Sequence, residues 1–207
     1  MTLSDLANSL NSRHPAGHLY PPLLLLTDEK RLADPLPAAA RLPHGSGVIL
    51  RHYNDPNRAQ LAKELSILCR RRGLRLLIAG DGPMAMRVAA HGVHFPEARI
   101  MEATSWRQRC PCWLITTAAH TWKSLVLAVR AGSDAALLGS VFPSESHPNG
   151  ATIGSVRFTA WVTGVQRLQR GYPVYALGGV TAESGKRLSN SGAIGIAGIS
   201  GITRARN

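Results

Sequence analysis

The sequence predicts a single-domain α/β fold, a (β/α)8 barrel of the TIM type with an N-terminal helical extension and a truncated last helix. Three observations predict it. Short apolar, β-rich runs recur from residue 22 onward at intervals of about 20 to 25 residues. Polar turns and helical patterns fill the intervals. The runs number eight, and a short βα repeat of that count favours closure into a barrel over a doubly wound open sheet. With 207 residues, 44% of them apolar and 17% charged, one hydrophobic core suffices. The expected division is an extension over residues 1–21 and a barrel domain over 22–207.

In chain order, Leu3, Leu6, Ala7 and Leu10 are spaced i, i+3, i+4, i+7, which predicts a short helix covering the barrel floor. The predicted strands are Pro22–Leu26, Gly47–Arg51, Leu74–Ile78, Gly92–Phe95, Cys112–Thr116, Ala135–Gly139, Pro173–Leu177 and Ala193–Ala197. The clearest helix is Asp55–Arg72, where Ala59, Leu61, Ala62, Leu65, Ile67, Leu68 and Cys69 form an apolar stripe. Asp55-Pro56 supplies an N-cap followed by a first-turn proline. Thr121–Arg130 and Ser155–Gln169 show similar patterns, with Gly132 and Gly171 where helix-ending glycines belong. Ten residues follow the last predicted strand, so the eighth helix is expected to shrink to little more than a turn.

A net charge of +12 and a pI near 10.8 attract anions, whether nucleic acid, acidic lipid or phosphorylated metabolites. Arg70, Arg71, Arg72 and Arg75 cluster at a helix end, where cations complement the dipole, and no aromatic residues interleave with them. Helix-turn-helix, zinc-finger and RNA-recognition signatures are absent, so nucleic acid is not the expected partner. No stretch approaches the roughly 20 apolar residues of a membrane span. Met1–Tyr20 lacks the apolar centre of a secretory signal, so the expected location is the cytoplasm. Cys69, Cys110 and Cys112 lack the second pair that a zinc tetrahedron needs and read as plain thiols. Trp113, Trp122 and Trp161 read as packing residues.

In such a barrel the chemistry sits at the C-terminal ends of the strands. There, Leu177-Gly178-Gly179-Val180-Thr181 follows the seventh run, and the glycine-rich stretch Gly195 through Ile202 spans the eighth. Glycines let backbone N–H groups approach an anion closely, and a short helix starting at Ser200 would aim its positive end at a phosphate. The substitution Gly179→Val is expected to remove phosphate affinity while leaving the fold largely intact.

Five segments carry a resemblance to the thiamine phosphate synthase and thiazole tautomerase family, running from about Leu23 to Ile202. They are Leu25-Leu26-Thr27-Asp28, Gly92-Val93-His94, Gly139-Ser140-Val141-Phe142-Pro143-Ser144-Glu145-Ser146-His147, Ala176 through Thr181, and Gly195 through Ile202. The resemblance implies an enzyme joining a pyrimidine methyl diphosphate to a thiazole phosphate, with release of pyrophosphate through a pyrimidine cation. It implies that Gly178, Gly179, Ile199 and Ser200 cradle the thiazole phosphate and that Arg51 forks onto the pyrophosphate. It also implies dimers or larger rings.

The other half-site departs from the family. Gln-x-Arg-x-Lys at strand two reads Ile49-Leu50-Arg51-His52-Tyr53, and the Asn-Asp pair after strand three reads Gly80-Asp81, keeping the carboxylate expected to bind Mg²⁺. Gly-Gln-x-Asp after strand four reads Pro96-Glu97-Ala98-Arg99, which sets a cation where the second metal carboxylate belongs. Mg²⁺ is therefore expected to be poorly retained, with Arg99 replacing part of its charge. Thr-x-Thr-Lys after strand six reads Ser144-Glu145-Ser146-His147, two hydroxyls and a mostly neutral imidazole. The expected catalytic set is Arg51, Ser144, Ser146 and His147. The tautomerase's histidine position holds Ser140, leaving His120 and His147 as nearby imidazoles. His94 is expected to play a supporting role, and Asp28 to cap the turn after strand one. A synthase-like enzyme of thiamine biosynthesis is the first expectation; the alternatives are a non-catalytic, regulatory phosphate-binding protein and a metal-free tautomerase-like isomerase.

Overall fold

Parallel strands covered by helices on one face and by one another on the other have no solvent side, so they read as continuous apolar runs. Leu23–Leu26 is such a run, buried at every position. The structure, a computed structural model, describes residues 2–143, 150–199 and 202. Eight parallel strands close in sequence order: β1 (Leu23–Leu26), β2 (Gly47–Leu50), β3 (Arg75–Ala79), β4 (Gly92–Phe95), β5 (Leu114–Ala119), β6 (Ala135–Gly139), β7 (Val174–Leu177) and β8 (Gly195–Gly198). The seam is β1 against β8, in the register Leu23↔Ile196 to Leu25↔Gly198. That seam turns the eight-run pattern into a barrel and removes the open-sheet alternative.

Outside the barrel run α1 (Leu3–Arg13), α2 (Leu36–Ala40), α3 (Arg58–Arg72), α4 (Gly82–Arg87), α5 (Glu102–Arg109), α6 (Trp122–Arg130) and α7 (Gly154–Leu168). Alternate strand residues serve two cores. Val48, Leu50, Leu76, Ile78, Val93 and Phe95 face the helices, where Leu65 and Cys69 of α3 and Phe158 and Val162 of α7 meet them. Leu24, Leu26, Ile49, Leu77, Leu137 and Tyr175 fill the barrel interior. Burial pushes the Cys69 thiol up to about 12, so it behaves as a small hydrophobe. No helix among the described residues is long and apolar enough to cross a membrane.

The N-terminal helix lies where its apolar spacing puts it. Thr2 and Asp5 form a reciprocal capping box, Leu3, Leu6, Ala7 and Leu10 are buried, and Asn11 Nδ2 donates to the carbonyls of Tyr20 and Ile194. Those carbonyls sit at the N-terminal ends of β1 and β8, so α1 closes the floor. The expectation of a shortened eighth helix falls on residues that, apart from Ile202, lie outside the described ones.

Most boundaries shift by a residue or more from the sequence reading, and three of the shifts have a visible hydrogen-bonding cause. Asp55 Oδ1 accepts from the Asn57 amide and Asp55 O from the Arg58 amide, so Asp55-Pro56 makes a turn ahead of α3 and does not cap it. Strand β5 begins at Leu114, because Cys110 to Trp113 close a turn through Trp113 N–H to Cys110 O. It runs on to Ala119 because its threonines find partners, Thr116 with His94 Nδ1 and Thr117 with Ser133. β8 starts at Gly195, after Ile194 N–H has bonded Val174 O. Trp106 and Trp113 stack with centroids 5.4 Å apart and Trp161 lies against the outer core, whereas Trp122, also read as a packing residue, is 38% exposed with its ring edge near Gly164 of α7.

One polar clamp ties the floor of β5 and β6 together. Asp134 Oδ2 accepts from the Ile115 amide and pairs with Arg107, whose guanidinium also donates to the carbonyls of Pro111 and Trp113. Asp134→Ala leaves that half-buried guanidinium and the strand amide without their acceptor. We expect a loss of about 2–3 kcal/mol, measured as a lower denaturant midpoint at unchanged slope.

Candidate anion site at the barrel mouth

The two sides of the mouth are built from different chemistry. On the β1–β4 side, Arg51 leaves the end of β2 and is locked to the end of β1. Its Nε donates to Thr27 O at 2.8 Å and its Nη2 to Asp28 Oδ2 at 3.0 Å, while its amide donates to Thr27 Oγ1. Asp28 caps its own turn, accepting from the amides of Lys30 and Arg31. Partial burial raises its carboxyl, but the Arg31 amide and the Arg51 and Arg31 guanidiniums outweigh that and hold it below the usual carboxylate range.

Asp81 follows β3 and is already engaged. Oδ1 accepts the Met84 amide as the N-cap of α4, and Oδ2 lies 3.7 Å from Arg58 Nη1. Arg99, in the turn after β4, donates from Nη1 to Gly80 O at 3.0 Å and grips both oxygens of Glu102 with Nε and Nη2. Tyr53 completes the group: the Arg58 guanidinium lies 5.4 Å from its ring centroid, and a Cβ on Gly80 would sit between Arg99 and the Tyr53 ring. Burial raises the Tyr53 phenol above its ordinary value, and Arg51, Arg58 and Arg99 all pull it back. Tyr53 stands where the sequence reading placed it, at the family's lysine position, whereas Arg58 and Glu102 escaped that reading. Each of these two opens the helix that follows its strand, Arg58 α3 after β2 and Glu102 α5 after β4, and that position was their signal.

On the β6–β8 side the backbone itself is the chemistry. Gly178 and Gly179 have φ of 91° and 64°, and among the described residues no protein acceptor takes the N–H of Gly178, Gly179 or Ile199. β7 and β8 are neighbours in the register Leu177↔Ala197, so these groups share one edge of the mouth. The loop is stapled by Thr181 and Ser184, which exchange amide-to-hydroxyl bonds, and by Ser184 Oγ on Gly179 O. Arg187, in the same loop, lies 5.3 Å from the Phe142 ring centroid and brings a cation alongside. Ser200, Ser144, Ser146 and His147 lie outside the described residues.

The glycines have a second cause. Phe142 N–H bonds Gly178 O, and a Cβ on Gly179 would lie 2.2 Å from Pro143 O and 2.5 Å from Phe142 O. Close approach of the β6 and β7 loops therefore demands Gly179 whether or not a ligand is bound. The expectation that Gly179→Val spares the fold is corrected on this ground.

His94 is buried inside the mouth, with Nδ1 on Thr116 Oγ1 at 3.0 Å. Burial first, and Arg51 second, hold it down at about 3, so it is neutral at pH 7 and a weak base. His120 donates Nδ1–H to Gly139 O at 2.7 Å, which leaves Nε2 as its free nitrogen, 3.9 Å from Glu97. At the other end of the barrel, a cleft of about 250 Å³ between α1 and α7 is lined by Leu10, Arg13, His14 and Gln166. It lies away from the strand ends where barrel chemistry occurs.

Fold and mouth together define a class: a (β/α)8 barrel with guanidiniums on one side of its mouth and open backbone N–H groups on the other, an arrangement suited to phosphorylated substrates. Within that class the chain belongs to the thiamine monophosphate synthase family, whose model matches residues 23–202, and this membership sets it among the transferases of thiamine biosynthesis. It is 31% identical over 162 residues to the thiamine-phosphate synthase of Thioalkalivibrio sulfidiphilus, covering 75% of this chain and 74% of that protein. The thiamine-phosphate synthase of Chlorobium luteolum is 28% identical over 202 residues, 96% of this chain and 90% of the relative. Among solved structures, a thiamine phosphate pyrophosphorylase from Pyrococcus furiosus superposes with a TM-score of 0.72 at 23% identity, covering 88% of this chain and 90% of that one, a likeness of fold.

Two outcomes follow from this geometry. Gly179→Ala is expected to cost about 1–3 kcal/mol of stability, through positive φ and a backbone collision, read as a lower melting temperature. His94 is held below its unfolded value of 6.5, so the stability it contributes is fully present above pH 6.5 and drains away as the pH falls from there toward 3. His14 and His91 are shifted in the same direction. His94→Gln is therefore expected to flatten, but not abolish, the acid slope of unfolding free energy.

Proposed function

We propose that the chain is a thiamine phosphate synthase that binds thiazole phosphate at the β7–β8 loops and couples it to a pyrimidine methyl diphosphate held on the opposite side. The observation that carries this reading is the pairing across one mouth of the open N–H groups of Gly178, Gly179 and Ile199 with the fixed fork of Arg51. Ser200 extends the first site and Ser144, Ser146 and His147 the second, by resemblance to the family.

The reaction asks little covalent chemistry of the protein. The C–O bond between the pyrimidine methylene and the diphosphate breaks, and its electron pair leaves with pyrophosphate. The thiazole nitrogen then donates its lone pair to the methylene cation, forming the C–N bond. No side-chain nucleophile is needed. The protein contributes orientation and preorganised charge: the glycine N–H groups fix the acceptor by its phosphate, and Arg51, already anchored to Thr27 and Asp28, meets the growing charge of the leaving group. His94, neutral and bonded to Thr116, holds the interior polar layer without taking a proton.

Incubation with both substrates is expected to yield thiamine phosphate and pyrophosphate in equal amounts, quantified by chromatography and a phosphate-release assay, and neither alone should release pyrophosphate. Thiazole phosphate binding with no coupled product would reject the synthase reading in favour of a binding protein. Arg51→Ala is expected to lower kcat/KM by about ten- to hundredfold, the equivalent of one charge-assisted contact.

A further inference from the structure

On the β1–β4 side of the mouth Asp28, Asp81 and Glu102 are engaged by the protein itself, Glu29 accepts from Asn54, and Glu97 lies 3.9 Å from His120 Nε2. Asp28 gives Oδ1 to two backbone amides and Oδ2 to Arg51. Asp81 gives Oδ1 to the first turn of α4 and faces Arg58 with Oδ2. Glu102 gives both oxygens to Arg99. A magnesium ion demands several oxygen ligands in near-octahedral array and is repelled by neighbouring guanidiniums. The Mg²⁺ associated with this family therefore does not fit the donor set of this chain: most of the carboxylate oxygens bond protein donors, Asp81 Oδ2 faces the Arg58 guanidinium, and the surroundings are cationic. Among the described residues no group of three or more His, Cys, Asp or Glu is placed to hold a metal ion.

The same residues suit another role. A guanidinium carries five N–H donors in a planar fork. Arg51 commits Nε and one donor of Nη2, and Arg99 commits Nε, Nη1 and Nη2 to one acceptor each, so both keep N–H groups beyond their protein partners. Arg58 lies beside Tyr53, its side chain 12% exposed, with Nη2 on Ala79 O and an Nε that has no partner among the described residues. Tyr53 stands among the three, on the loop that follows β2. Each guanidinium is held in place by a carboxylate, so its orientation is set before any ligand arrives.

We infer that this half of the mouth grips a diphosphate through Arg51 and Arg99, with Arg58 beside Tyr53, and does so without a divalent cation. The inference rests on the synthase reading for the identity of the diphosphate, and on the arginine geometry alone for the independence from metal. In the coupling step the negative charge gathering on the departing pyrophosphate meets guanidinium N–H groups.

Titration calorimetry with inorganic pyrophosphate tests this, with excess EDTA in one arm and excess magnesium chloride in the other. Binding is expected in EDTA and is expected to weaken in magnesium, because the magnesium complex presents less negative charge to the arginines. Arg99→Gln, at a side chain 44% exposed, should retain the wild-type melting curve yet lose about tenfold or more in affinity in EDTA, the worth of a charge-assisted contact. Attraction by the overall charge of +12 alone would survive that substitution. Binding that requires magnesium, absence of binding in both arms, or unchanged affinity in Arg99→Gln each overturns the inference. Coupled turnover that occurs only with magnesium would overturn it while leaving the synthase reading intact. Arginine-dependent, metal-free pyrophosphate binding without coupled turnover would do the reverse.

Discussion

Closure of the sheet through the β1–β8 pairing is the constraint from which the rest follows. Once the last strand hydrogen-bonds the first, each strand is sealed by helices outside and by neighbouring side chains inside, and the polar residues that the interior admits must be paired with one another, as His94 is with Thr116. Polar chemistry is thereby driven to the two ends. The floor is spent on structure, with α1 across β1 and β8 and the Asp134–Arg107 clamp under β5 and β6. The mouth is left for function.

At the mouth, charge is organised in pairs. Arg51 with Asp28 and Arg58 with Asp81 each join segments that follow neighbouring strands, and Arg99, paired with Glu102 three residues on, reaches the end of β3 through Gly80 O. Partly exposed ion pairs add little to stability, so their significance lies in orientation. A guanidinium held by a carboxylate has already lost most of its rotamer freedom, and its remaining donors point where an anion can use them. The same pairing engages carboxylate oxygens at the mouth. One substitution, an arginine at position 99 where the family carries a carboxylate, thus changes both partners: it supplies a cation and occupies an acid, Glu102.

The glycine loops show how a structural demand and a ligand demand can share residues. Gly178 and Gly179 let the β6 and β7 loops touch through backbone, and the same left-handed conformations leave their N–H groups without a protein acceptor among the described residues. A side chain at either position would disturb packing and anion access together.

The sequence alone determined the barrel: eight apolar runs, helical stripes between them and floor-facing leucines before the first strand are local patterns, and burial on both strand faces leaves a direct mark on composition. It also located the mouth, since Arg51 ends a run and Asp81, Gly178 and Gly179 each stand just past one. Boundaries such as the turn at Cys110 to Trp113 were less legible, because a hydrogen bond between near neighbours leaves no periodic signature. What only the tertiary structure decided was which residues are free to act. Asp81, read from the sequence as a carboxylate for a metal, is seen in the structure to cap α4 through Met84 and to face Arg58, and Arg58 and Glu102 became part of the mouth only when β2, β3 and β4 came side by side. The reason is physical: periodicity records which way a side chain faces, whereas the availability of a charge depends on partners brought in from distant parts of the chain.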